Sequence, residues 1–120
     1  MKSQFQSYQL VLKIHEKINI RVGKLGTFAF APGYYIYTGS ARRNMEARIQ
    51  RHLRKDKTVH WHIDYITEEK TVEIVDVRRS DLDECILNKN TCGTIVAPGL
   101  GASDCRNHCG SHLKMISAPS

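Results

Sequence analysis

The sequence predicts an α+β domain: a small antiparallel β-sheet flanked by helices. Three observations carry that expectation. The N-terminal third alternates apolar and polar residues with period two, the middle switches to four-residue apolar spacing, and alternation returns near Thr71 before a short acidic segment. Strands first, then helix, strand and helix, is the order of a sheet covered by helices.

Each element has its own warrant. Tyr8, Leu10, Leu12 and Ile14 share one side of an extended chain, with Val11 among the intervening residues, so Tyr8 to Ile14 is a strand. Ile18 to Val22 alternates again. Gly23 and Gly26 interrupt the chain before Phe28 and Phe30, and Pro32-Gly33 signals a turn. Tyr34 to Tyr37 is aromatic and β-branched, hence a further strand. Together these strands suggest an antiparallel meander. Asn44 is placed to cap a helix whose apolar stripe is Met45, Ile49 and Leu53. Thr71 to Val77 alternates Val72, Ile74 and Val77 as another strand, and Asp81 opens a short acidic helix through Asn88. Beyond Cys92 the chain is rich in glycine, with a last apolar stretch near Leu113 to Ile116.

A length of 120 residues suits one domain, expected over 1–117 with 118–120 as a loose tail. No apolar run approaches the ~20 residues that cross a bilayer. Met1 to Leu10 lacks the long apolar core of a secretory signal, so the expected location is cytoplasmic, with no membrane partner. The net charge of +6 and pI near 9.3 favour polyanions, through counterion release. Cys85, Cys92, Cys105 and Cys109 all fall in the last third, and without a secretory signal a disulfide framework is not the natural reading. Cys105, Cys109 and His112 offer thiolates and an imidazole to zinc, with Cys85 or Cys92 to complete a tetrahedron. The spacing is not a paired CxxC pattern, so ordinary reduced thiols are preferred over zinc.

The chemistry concentrates in Gly33-Tyr34-Tyr35-Ile36-Tyr37-Thr38-Gly39-Ser40-Ala41 and the helix that follows. In a strand Tyr35 and Tyr37 share one face while Tyr34 and Ile36 share the other. Gly39 permits a turn that brings backbone close to a ligand. Arg48 and His52 lie one turn apart beside the apolar stripe, so they lean toward the sheet or its rim, where a guanidinium needs an anionic partner or ligand. Arg51, Arg54 and Glu46 fall on more exposed faces, which makes the two arginines a solvated or phosphate-tracking surface. His60, His62 and Asp64 would share a face if extended, as a metal set would. The preferred reading of that segment is a polar strand or turn beside the cleft, with Trp61 and Ile63 buried.

At these residues the chain resembles a known family. Tyr37-Thr38-Gly39 resembles the second half of the GIY-YIG nuclease signature, and Gln6-Ser7-Tyr8 a degenerate first half that keeps the tyrosine. Arg48, nine residues after Gly39, falls where the family's helical arginine is expected, and His52 matches a histidine of some members. The stretch from Gly33 to Ala41, Arg51-His52-Leu53-Arg54, Trp61-His62-Ile63-Asp64-Tyr65, Glu84-Cys85, Ser103-Asp104-Cys105 and Ser111-His112-Leu113 resemble the Uri-type endonuclease branch, across nearly the whole chain.

The resemblance implies a GIY-YIG core in which an extra hairpin fills the long interval between Tyr8 and Tyr37. It implies metal-dependent hydrolysis of phosphodiester bonds in DNA, in a setting such as repair. Tyr8, Tyr37, Arg48, His52 and Glu84 are the implied catalytic residues. Glu84 would hold one Mg2+ or Mn2+ together with phosphate oxygens and water. Arg48 would neutralise charge on the phosphoryl oxygens. The general base lies among Tyr8, Tyr37 and His52, and the sequence does not choose between them. Gly39, Ser40, Arg42, Arg43, Arg51, Arg54 and Lys55 are the expected nucleic-acid contacts. The departures are Gln6 and Ser7 in place of the motif's glycine and isoleucine, the rivals Glu73, Asp81 and Asp83 to Glu84, and the lack of a matching asparagine, whose place Ser111-His112 would fill. Two other functions stay open: a non-catalytic nucleic-acid-binding module, and an interaction domain that meets a protein partner in a repair complex.

Overall fold

Ser7 to Leu12 presents almost no charge on either side, so both faces of this strand can be covered. It becomes the interior of a sheet. In the computed structural model, which describes residues 5–41, 43–55, 58–59, 61–100 and 110–117, β1 (Ser7–Ile14) is buried along nearly its whole length. It lies between β4 (Gly33–Ser40) and β5 (Val72–Ser80), with β7 (Leu113–Ile116) and β6 (Thr94–Ile95) beyond β4. Every pairing in this five-stranded sheet, ordered β5-β1-β4-β7-β6, is antiparallel.

The expected meander is corrected. β1 does not pair with β2 (Ile18–Val22); its partners are β4 and β5. β2 and β3 (Gly26–Phe30) instead form a separate two-stranded sheet, joined by a 3₁₀ turn at Gly23–Leu25. β1 has enough apolar surface to be covered on both edges and faces, whereas Asn19 and Arg21 of β2 point to solvent. This hairpin is the insertion between the two tyrosine strands.

Tyr8, Leu10, Leu12 and Ile14 project onto one face, where they meet Phe30, Tyr35, Tyr37, Ile49, Ile63, Ile66 and Leu113. α1 (Met45–Leu53) contributes Ile49 to this core, but the stripe departs from expectation at its end. The inward line is Met45, Arg48, Ile49 and His52, the i, i+3, i+4, i+7 series of a straight helix, and Leu53 rotates out to 43% exposure. Asn44 does precede the helix, yet its side chain makes no capping bond; the residue is left-handed, at φ 54°, a region asparagine tolerates.

His62 to Tyr65 is not extended. Ile63 is buried and Trp61 half buried, and the chain turns into the short α2 (Asp64–Thr67), so a shared face of His62 and Asp64 does not arise; His60 lies outside the described residues. The turn has a local cause, since the Asp64 carboxylate accepts from the Trp61 backbone N–H at 2.9 Å. Lys55 ties the layer together by donating from Nζ to the carbonyls of Thr67, Glu69 and Val72, and burial pushes its amine below the ordinary lysine range.

The acidic helix α3 (Glu84–Lys89) starts three residues later than Asp81, because Asp83 is the residue whose carboxylate caps it, accepting from Cys85 N–H at 2.9 Å. Beyond it, Thr91 reaches the other face of the sheet, where Gln9 Nε2 donates to its hydroxyl at 2.7 Å. No described helix is long and apolar enough to cross a membrane.

Candidate active site

Tyr8 and Gly39 face each other across the β1–β4 pair. The absence of a side chain at Gly39 is what admits the Tyr8 ring, since a Cβ there would stand 2.5 Å from Tyr8 Cζ and 2.6 Å from its hydroxyl. Gly39→Ala is therefore expected to displace that ring and to cost about 1–3 kcal/mol of stability by overpacking, read from urea denaturation. A loss below about 0.5 kcal/mol would show that the ring moves without cost.

Gln6 and Ser7, which replace the glycine and isoleucine of the family motif, have work at the same end of β1. Gln6 Nε2 donates to the Asp81 carbonyl at 2.7 Å and the Ser7 hydroxyl to the Leu82 carbonyl at 2.6 Å. They bind β1 to the turn that leads into Glu84. Sequence and geometry thus meet at one point, where the first strand delivers Tyr8 and holds the approach to α3.

The phenol of Tyr8 is 2.7 Å from His52 Nε2, with the two rings 5.5 Å apart. Tyr37 completes an aromatic trio, its ring 6.5 Å from that of Tyr8 and 6.1 Å from that of His52. Tyr8, Tyr37 and His52 are all buried. Burial pushes the Tyr8 phenol well above its ordinary value of 10, against the opposing pull of the adjacent Arg48 guanidinium; Glu84 and Asp64 push the same way as burial. Tyr37 is raised by burial as well, with smaller contributions from Tyr8, Glu84 and Asp64. Both phenols thus hold their protons tightly at neutral pH, so neither is a ready-made phenolate.

Arg48 is half buried. Its Nη1 donates to the Ser40 carbonyl, and its guanidinium lies over the Trp61 ring, 4.9 Å from the centroid. Arg51 corrects the expectation of an exposed face. It lies over the same ring at 4.6 Å, donates to the Thr58 carbonyl at 2.6 Å, and pairs with Asp64 at 2.9 Å. At helical spacing Arg51 and Arg48 were separable only by position relative to the apolar stripe; the Trp61 ring, from a segment distant in sequence, draws both toward it.

Glu84 opens α3 with its side chain 29% exposed, 3.2 Å from His112 Nδ1. His112 is buried; its Nδ1 is also 3.2 Å from the Thr38 carbonyl on β4. Asn88, one turn beyond Glu84, donates to the Ser111 carbonyl at 2.8 Å and so fastens the segment that carries His112 to α3. The rivals of Glu84 are engaged elsewhere: Glu73 with His15 at 3.0 Å, and Asp83 in the helix cap. Asp81 is exposed in the turn before them.

Arg48 joins the Tyr8–Tyr37–His52 trio through Trp61, whose ring is 5.6 Å from that of His52, and Glu84 approaches it through His112, which lies against the Thr38 carbonyl next to Tyr37. Sequence reasoning set the segment of Trp61 and Asp64 beside the cleft but gave neither residue a role in it, and gave His112 only a provisional place. Asp64 turns inward through its bond to the Trp61 N–H, a local turn that no apolar periodicity announces. Of the expected nucleic-acid contacts, Gly39 is buried, Ser40 is half buried, and Arg43 and Arg54 are exposed near the two ends of α1. The Lys55 amine is taken by three carbonyls. Arg42, Cys105 and Cys109 lie outside the described residues; Cys85 is buried on α3 and Cys92 exposed beyond it.

The donor chemistry suits a hard divalent cation held by few protein ligands. One partly exposed carboxylate leaves room for water and phosphate oxygens, the set that magnesium prefers. Among the described residues no group of three or more histidine, cysteine or carboxylate side chains is gathered to hold an ion.

The family model described as domain of unknown function DUF123, a GIY-YIG-like family, matches residues 7–120, and the chain belongs to that family. No curated protein and no solved structure matches it.

Proposed function

We propose that the protein is a metal-dependent endonuclease of the Uri-type GIY-YIG branch that hydrolyses phosphodiester bonds in DNA. The observation that carries this reading is the 2.7 Å bond between Tyr8 and His52, with Arg48 stacked on the neighbouring Trp61 ring and Glu84 held by His112 beside the Thr38 carbonyl. A phenol with a raised pKa is a poor base alone, but a phenol bonded to an imidazole has a destination for its proton. Arg48, on Trp61 and against Ser40 O, presents its donors as a rigid fork to phosphoryl oxygens. Glu84 would hold Mg2+ or Mn2+, which when bound supplies charge to polarise the scissile phosphate and stabilise the leaving oxygen. The basic charge and the exposed Arg43 and Arg54 support a polyanionic substrate.

The test is incubation of the protein with labelled single-stranded, duplex and branched DNA, in Mg2+ or Mn2+ and in EDTA. Strand cleavage that EDTA abolishes is the expected result. Salt-sensitive binding without cleavage would replace the nuclease by a nucleic-acid-binding module, and neither binding nor cleavage would leave an interaction domain.

A further inference from the structure

A fully buried carboxylate stands behind His52, on the side away from Tyr8. Asp64, at the first position of α2, has 0% exposure. Its Oδ2 accepts from Trp61 N–H at 2.9 Å and stands 2.9 Å from Arg51 Nη1, while its Oδ1 accepts from Arg51 Nη1 at 3.1 Å and lies 3.9 Å from His52 Nδ1, an ion-pair distance. Burying a carboxylate is costly unless its partners are well placed, and a turn alone could be closed by an uncharged asparagine. On the other side of the imidazole, Tyr8 Oη and Nε2 stand 2.7 Å apart, and a phenol that donates its hydrogen there makes Nε2 the acceptor. A neutral imidazole carries one hydrogen. With Nε2 accepting, that hydrogen sits on Nδ1, the nitrogen that faces Asp64.

We propose that Asp64 is a positioning residue for His52, fixing the Nδ1–H tautomer so that Nε2 is the acceptor of the Tyr8 proton. The inference rests on the nuclease reading for its use, though not for its geometry. As water attacks phosphorus and the new P–O bond forms, the water proton passes to the Tyr8 oxygen while the phenol's own hydrogen passes to His52 Nε2. The bond to the leaving oxygen breaks, and that oxygen takes a proton from solvent; His52 later returns its extra proton to solvent. The imidazolium that exists between those events is stabilised by the Asp64 carboxylate, which keeps its own negative charge. The charged and titratable groups that face the pair are Arg48 and Arg51 from α1, Asp64 from α2, Tyr37 from β4 and Glu84 from α3. Of the three base candidates, Tyr8 working through His52 is the one this arrangement serves.

Imidazole ¹⁵N spectra of the full chain at neutral pH test the proposal, with His52 assigned by loss of its signals in His52→Asn. The wild type is expected to show a protonated Nδ1 and an unprotonated Nε2. Asp64→Asn is expected to shift His52 toward the other tautomer or a mixture, while Asp64→Glu and Arg51→Lys retain the wild-type pattern. In strand cleavage Asp64→Asn is expected to lower kcat by about 10²-fold at unchanged KM and to move the pH profile of kcat, neither of which follows from altered folding alone. A wild-type His52 protonated on Nε2 would overturn the proposal without any variant. A folded Asp64→Asn with an unchanged spectrum would do the same. Should Asp64→Asn fail to fold, the wild-type and Asp64→Glu spectra decide. The tautomer is read whether or not DNA is cut, so failure of the nuclease reading and failure of this one are distinguishable.

Discussion

Arg48→Ala is expected to lower kcat for strand cleavage by about 10²–10³-fold, the cost of removing one preorganised group that meets transition-state charge. Three features make Arg48 such a group. Its side chain is fixed in advance by the Ser40 carbonyl and the Trp61 ring, so little entropy remains to be lost when phosphate arrives. It is half buried beside two buried phenols, where a charge acts through a lower dielectric than at the surface. It also bears directly on the Tyr8 phenol, opposing the effect of burial, so its loss leaves that phenol harder to ionise still. Arg48→Lys keeps the charge but not the fork, and is expected to recover only part of the rate. Single-turnover cleavage at saturating DNA separates this from weakened binding. Wild-type kcat with a raised KM would reduce Arg48 to a phosphate-binding contact.

The largest effect on stability is expected at its neighbour. Arg51→Ala strips the guanidinium from Asp64, whose carboxylate has no exposure, and leaves an uncompensated buried charge. Removing one partner of such a pair costs about 3–5 kcal/mol. The Arg51 side chain keeps 21% of its exposure and the Trp61 N–H still reaches Asp64, so the lower end of that range applies. Urea denaturation with an unchanged m-value is the measurement. Arg51→Ala combined with Asp64→Asn should recover part of the loss, because the charge that lacked a partner is gone. A loss under about 1 kcal/mol would mean that the pair behaves as a surface ion pair.

Period-two patterns made β1, β2 and β5 legible, and aromatic and β-branched residues made β4 so, whereas the two-residue β6 is too short to carry a pattern; Tyr8, Leu10, Leu12 and Ile14 occupy the one face their spacing implies. The sequence did not reveal the strands' partners. Adjacent strands pair by default, and nothing local told that β1 would bypass β2 to lie beside β4 and β5. The site was legible where chemistry is tied to spacing: Tyr37, Gly39, Arg48 and His52 come from one contiguous strand–turn–helix unit. It was illegible where two distant segments meet. Trp61 reaches Arg48 and Arg51, and Asp64 stands 3.9 Å from His52 Nδ1, only because the segment after α1 folds back over that helix. His112 approaches Glu84 from the strand beyond β4, a placement fixed by sheet order rather than by sequence pattern. The difference between Arg48 and Arg51, read from helical angle as inward against outward, vanished for the same reason.

The proposed reaction requires Glu84 and the Tyr8–His52 pair to act as one hydrolytic centre. Its most direct test is DNA strand cleavage in Mg2+ by the wild type and by Glu84→Ala, with DNA binding measured on the same samples. Glu84→Ala is expected to bind DNA as the wild type does and to cut it no faster than the wild type cuts in EDTA. Metal-dependent cleavage by Glu84→Ala at the wild-type rate would contradict the account, because the carboxylate assigned to hold the ion would then have no part in the reaction.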